Sequence, residues 1–187
     1  MYGASIGMAR LHLHQGATLV FQSNQQANSP GFSWYDLWYP LESERYGAPR
    51  AAPSFVAYLL IAEAVGKSDN LKISLINSPA GSPDQLAIYA IWDRQVLDKI
   101  IVLNMAPRTE GASETVTVDL SKYARHGAAV VKRMASVSGL SEKNTTQTTW
   151  AGQSFTDGTA VGDLEVEGLK DGSVTLQGAE AVLVFLK

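Results

Sequence analysis

The residues best suited to chemistry near the start of the chain lie in RLHLHQG, residues 10–16. There His12 and His14 stand two apart in an otherwise apolar stretch, followed by Gln15. Side chains alternate along a β-strand with period two, so both imidazoles would share one face of a strand. Such a pair can begin a metal site, hold a substrate hydroxyl at a cleft, or sit hydrogen-bonded within a core. A zinc or iron site wants three or four protein ligands. The other histidine is His126, far along the chain, and there is no cysteine to complete a set. No metal and no other cofactor is therefore expected. The structural and cleft-facing readings of the pair both stay open.

Nucleophilic catalysis has less support. GASIG, residues 3–7, has the spacing of a nucleophile elbow centred on Ser5. The elbow needs a strand running into a sharp turn and a helix, and these residues read as a helix tail. No phosphate-cradling glycine loop is present. In FSWYDLWYP, residues 32–40, the rings of Phe32, Trp34, Tyr35, Trp38 and Tyr39 could form a stacking platform for a sugar face. They could equally anchor a long loop onto its neighbours.

The elements that would position these groups fall into two regions. Tyr2–Met8 reads as the end of a helix with Gly7 as its stop, and Ala9–His14 as a short strand. Residues 15–52 have no sustained period and read as a long loop, of the kind that is usually functional. PSFVAYLLIAEAVG reads as a helix over 53–66, with Pro53 in the first turn and Gly66 just past the end. It is apolar almost all round, which predicts burial. From Leu71 the pattern changes to period two. In TVTVDLS, Val116, Val118 and Leu120 fall on one face, and Thr115, Thr117 and Asp119 on the other. LKISLIN, LAIYAIWD, KIIVLNM, AAVVKRM, DLEVEGL, SVTLQG and AVLVFLK read likewise, separated by turn signals such as SPAGSPD and KDGS. Roughly eight strands at this spacing argue for an antiparallel sandwich. The boundary between the regions falls near Lys67–Asn70.

Composition limits the partners. The chain has 187 residues, a net charge of −3 and a pI near 5.6, so neither nucleic acid nor an anionic membrane is an expected partner. The absence of cysteine excludes a disulfide framework and thiolate chemistry. MYGASIGMAR lacks the basic and apolar regions of a secretory signal, and the run Phe55–Val65 is too short to span a bilayer. The first 66 residues hold only 7 charges but 10 of the 16 aromatics. A segment so poor in charge and rich in rings predicts that residues 1–66 associate with more protein or line a cleft.

Several strings, taken in order, resemble one family. YGASIGMARLHLHQG, APSFVAYLLIAEAVG, AIYAIWD, TVDLS, VVKRM, TTWAGQSF and AEAVLVFLK are similar to the C-terminal part of fungal family 79 glycoside hydrolases, the β-glucuronidase and heparanase relatives. The resemblance covers nearly the whole chain and is weakest in residues 17–50. It implies an α+β arrangement, with the last strand and helix of a (β/α)8 barrel followed by an antiparallel β-sandwich. Residues 1–68 would hold the end of the seventh barrel helix, the eighth strand at 9–14, the loop after it, and the eighth helix at 53–66. Residues 69–187 would be the sandwich.

His12, His14 and Gln15 would then point into the barrel or support its rim, near a glucuronide-type sugar. Retaining glycosidases need two carboxyl groups about 5 Å apart. The resemblance puts both glutamates on the fourth and seventh barrel strands, upstream of Met1. Glu42, Glu44 and Glu63 match neither position. The expectation is a truncated relative with no catalytic residue of its own, inactive alone. Alternatives are a sugar- or partner-binding module and a piece of a longer, secreted glycosidase. The family often carries a tyrosine after the HQG to hold the uronate carboxylate. Counting places that position near Phe21, which lacks the hydroxyl. The sequon at Asn144 would carry a glycan only if the chain is exported.

Overall fold

The computed structural model describes residues 1–10, 12, 37–39, 42, 48–76, 78, 82–109, 115–124, 129–142 and 144–186. It begins with a one-turn helix, α1 (Tyr2–Ser5), which ends where Gly7 takes φ +86°. Within it the Ser5 hydroxyl donates to the Tyr2 carbonyl at 2.7 Å, so Ser5 has helix-tail geometry and no elbow forms. Two short strands follow, β1 (Trp38–Tyr39) and β2 (Arg50–Ala51), paired antiparallel. Helix α2 spans Ser54–Val65, entered through Pro53 at φ −54° and closed by Gly66 at φ +62°. Those are the expected start and stop.

Among the described residues nine further strands follow: β3 (Leu71–Ile76), β4 (Leu86–Asp93), β5 (Val96–Asn104), β6 (Val116–Asp119), β7 (Val130–Ser136), β8 (Thr148–Trp150), β9 (Glu167–Gly168), β10 (Ser173–Leu176) and β11 (Glu180–Phe185). Seven form the main sheet, in the order β3-β4-β5-β11-β7-β8 with β9 also on β7, and β6 pairs with β10 in a second, small sheet. Every pairing is antiparallel, as the period-two runs predict.

The molecule has three layers because the main sheet is apolar on both faces. On one face Tyr89, Ile91, Ile101 and Leu183 pack with Val56, Leu60 and Ala64 of α2. On the other, Ile88, Ile100, Val102, Val182 and Val184 pack with Val118, Leu120, Val174 and Leu176 of the small sheet. Strand β6 obeys its pattern, with Val118 and Leu120 buried and Thr115, Thr117 and Asp119 exposed. Burying each such Val or Leu contributes about 1.5–3 kcal/mol, so the two cores together hold the sheet from both sides.

Three elements differ from expectation. Helix α2 is buried along one stripe at i, i+4 and i+8, not all round, and Ala62 and Val65 are exposed, because only one side meets the sheet. DLEVEGL yields only the two-residue β9, and Val161, Leu164 and Val166 stay exposed, since no second layer reaches them. Strand β8 is three residues long, too short for its period to be read. Of the expected strand over 9–14, Ala9, Arg10 and His12 have no assigned regular structure, and Leu11, Leu13 and His14 lie outside the described residues.

Candidate functional site

Most of the predicted site residues lie outside the described region: His14, Gln15 and Phe21 all do, as do His126, Glu44 and the rings of Phe32, Trp34 and Tyr35. His12 is exposed. Asn144 is exposed too, and caps the 3-10 turn Thr145–Gln147: its Oδ1 accepts from the Thr146 backbone N–H at 3.0 Å and the Thr146 hydroxyl at 2.8 Å. Of the aromatic cluster, Tyr39 is 4% exposed, with the Arg50 guanidinium 4.7 Å from its ring centre. The Ala51 N–H donates to the Thr156 carbonyl at 2.8 Å and the Ala52 N–H to the Leu37 carbonyl at 2.9 Å. Here the loop is tied down, and the buried ring acts as an anchor.

The tertiary structure gathers chemistry that the strand pattern does not announce. At the junction of α2 and the sheet, Glu63 takes two donors. Its Oε2 accepts from the Trp150 indole N–H at 2.7 Å, and its Oε1 accepts from the Lys132 ammonium. Lys132 and Lys99 both stand over the Phe185 ring, at 5.8 and 5.9 Å from its centre. Lys99 also donates to the Ala64 carbonyl at 3.4 Å, at the C-terminal end of α2 where a cation is favourable. Helix and sheet are thus joined by charge as well as by apolar contact.

A cleft of about 450 Å³ opens between the N-terminus of α2, at Pro53 and Ser54, and the ends of β5, β7 and β11. Asn104, 1% exposed, and Thr148, 6% exposed, line it, and among the described residues their Nδ2 and Oγ1 atoms have no hydrogen-bond partner. Two carboxylates also line it, Glu142 and Glu180. Both are engaged by hydrogen bonds. Glu142 accepts from the Asn144 and Ser138 backbone N–H groups at 2.8 and 3.3 Å. Glu180 accepts from Arg133 and from the Gln177 N–H, both at 2.9 Å. Arg133 also holds Glu167 through two bonds of 2.7 and 2.9 Å, and these partners keep its guanidinium proton bound even more firmly than usual. These groups lock loops and strands together.

Arg108 is another residue the sequence reading missed. It is 7% exposed and donates to three backbone carbonyls: Gly178 at 3.0 Å, Val137 at 2.9 Å and Ser136 at 2.5 Å. A lone arginine in APRTE carries no local signal for this, because all three acceptors are distant in sequence: the end of β7 at Ser136, the turn at Val137 and the turn at Gly178.

The comparisons with known proteins agree with this β-rich body. The family described as "Glycosyl hydrolase family 79 C-terminal beta domain" matches residues 88–183, just over half of the chain. Among solved structures, the chain is similar to a 4-O-α-L-rhamnosyl-β-D-glucuronidase from Fusarium oxysporum 12S, crystallised as a Rha-GlcA complex. The identity is 21% and the TM-score 0.59, with 83% of this chain and 32% of that one covered. The chain therefore spans about a third of that protein's length, and the likeness is one of fold. No curated protein matches the chain.

Proposed function

Because the chain belongs to glycosyl hydrolase family 79, whose C-terminal beta domain it contains, we propose that it acts as the non-catalytic buttress of a glucuronidase-like enzyme. In this reading α2 is the eighth helix of a (β/α)8 barrel, residues 9–14 are its last strand, and residues 69–187 grip that final unit from outside. In the same reading catalysis belongs to glutamates of the barrel's fourth and seventh strands, and Glu42, Glu44 and Glu63 match neither position. His12, His14, Gln15 and Phe21 then belong to the rim that meets the sugar.

The observation that carries the reading is the union of α2 with the main sheet. Val56, Leu60 and Ala64 share one core with Tyr89, Ile101 and Leu183, and Glu63 takes its two bonds from β7 and β8. A helix held so firmly by the β body can fix the position of whatever is attached to it. Tyr2, Ile6 and Met8 leave exposed apolar surface at the other end of the region that would meet the barrel. The ligand class of the assembled enzyme is a glucuronide-type sugar, supported by the Rha-GlcA complex of the similar structure. In an exported protein the exposed Asn144 would accept a glycan.

Two measurements test the proposal. The purified chain is expected to hydrolyse an aryl β-glucuronide no faster than a blank, and clear turnover would defeat the non-catalytic assignment. Hydrogen exchange should show the amides of α2 protected together with those of β4 and β7. Free exchange of α2 beside a protected sheet would end the buttress reading.

A further inference from the structure

Strand β4 ends in Trp92-Asp93, and two residues, Arg94 and Gln95, turn the chain into β5. Both take left-handed backbone angles, φ +47° and φ +69°. A two-residue hairpin of this type favours Asn-Gly, because side chains with a Cβ crowd the backbone there. The chain instead uses a long cation and a long amide, and both side chains line a cleft of about 520 Å³. Strain of this kind, kept where a side chain reaches a cleft, is a pointer to function.

The other walls are Asn70, Lys72, Ser74 and Trp92. Lys72 lies directly across from Trp92 in the β3–β4 register, and the Trp92 indole N–H donates to the Ser74 hydroxyl at 3.2 Å, which fixes the ring. Leu71 and Ile73, which alternate with Lys72 and Ser74, pack toward α2, so the cleft opens on the opposite face of the sheet. The small β6–β10 sheet covers the middle of that face and contributes nothing to the cleft. Charge is one-sided. Among the described residues no carboxylate lines the cleft, and neither Lys72 nor Arg94 forms an ion pair. Two carboxylates are sequence neighbours of lining residues: Asp93, engaged by the Ser68 hydroxyl at 2.6 Å, and Asp69, exposed beside Asn70 and not itself among the lining residues.

We propose that this cleft binds a sugar ring bearing an anion, a carboxylate or a sulfate. The ring's apolar face packs on Trp92, Lys72 and Arg94 hold the anion, and the Asn70 and Gln95 amides bond to hydroxyls. The volume suits one or two rings. The site rests on its own geometry and takes from the family reading only the expectation that sugars are at hand.

The test is titration of the whole chain, followed by tryptophan fluorescence and calorimetry, with three tetrasaccharides: hyaluronan (carboxylate only), heparin (carboxylate and sulfate) and cellotetraose (neutral). The proposal expects at least one acidic probe to bind, weakening as sodium chloride rises from about 0.05 to about 0.5 M. Cellotetraose should bind at least roughly tenfold more weakly. Hyaluronan binding would identify the carboxylate as sufficient, and binding of heparin alone would identify sulfate. Trp92→Ala should weaken binding roughly tenfold and Lys72→Gln or Arg94→Gln roughly fivefold each. Lys72 and Arg94 are exposed, so those two variants fold regardless of how Trp92→Ala behaves. The proposal is overturned if neither acidic probe binds at millimolar concentration, if cellotetraose binds equally well, or if Lys72→Gln and Arg94→Gln both bind like the parent. None of these outcomes touches the exchange behaviour of α2, so the buttress and the sugar cleft stand or fall separately.

Discussion

Glu63 Oε2 lies 2.7 Å from the indole nitrogen of Trp150, a hydrogen bond between residues 87 positions apart that ties α2 to the sheet. The other carboxylate oxygen takes the ammonium of Lys132. The side chains of Glu63 and Lys132 keep only 31% and 19% of their exposure, so water replaces a lost partner poorly.

Replacing Glu63 with alanine leaves a half-buried ammonium and an indole N–H without their acceptor. The expected loss is about 1–2 kcal/mol, since solvent screening trims the cost of a fully buried pair. Trp150→Phe removes one bond and keeps most of the ring, for a loss of about 1 kcal/mol. Urea melts of both single variants and the double variant check this. The double variant should lose less than the two single losses added, because the bond is shared.

Arg108 is held by three carbonyls in a nearly closed site. Arg108→Met is expected to cost about 2–4 kcal/mol, because the carbonyls of Ser136, Val137 and Gly178 lose their donors together. Arg108→Lys should recover less than half, since a single ammonium cannot reproduce the planar fork. Thermal unfolding of the three proteins decides it, and a lysine variant as stable as the parent would contradict the fork.

Gly139 is buried against the main chain of the same arginine. Its φ is +53°, and a Cβ there would sit 2.0 Å from the Arg108 carbonyl oxygen. Gly139→Ala is therefore expected to cost more than about 2 kcal/mol, combining backbone strain with a clash against rigid main chain. By contrast, nothing stands within 4 Å of a Cβ at Gly168, so Gly168→Ala serves as the neutral control in the same denaturation series.

Tyr89 sets an alkaline limit. Burial, and secondarily the nearby Tyr2, push its phenol above the usual tyrosine value of 10.0. A group whose folded pKa is raised contributes stability that is whole below the unfolded value and is lost as pH rises through the folded value. The parent should therefore lose stability progressively above about pH 10. Tyr89→Phe should lose less over that range. Denaturant midpoints taken between pH 9 and 12 would expose the idea as wrong if the two curves ran parallel.

Much of this protein could be read directly from its residues. Val118 and Leu120 inside, with Thr117 and Asp119 outside, follow from alternation alone, and the paired strands follow from the same rule. Pro53 and Gly66 bracket α2 because a fixed φ suits a helix start and a positive φ its end. These are local choices, settled by neighbours a few positions away. Which strands lie side by side, and that α2 covers one face of the sheet while β6 and β10 cover the other, depended on the whole chain folding back on itself. The same holds for each cluster with chemistry in it. Glu63 with Lys132 and Trp150, Arg108 with its carbonyls, and Trp92 with Lys72 and Arg94 join residues from separate elements. A periodic pattern says which way a side chain points, whereas its partner is fixed by packing two apolar faces together, and that packing is a property of the assembled layers.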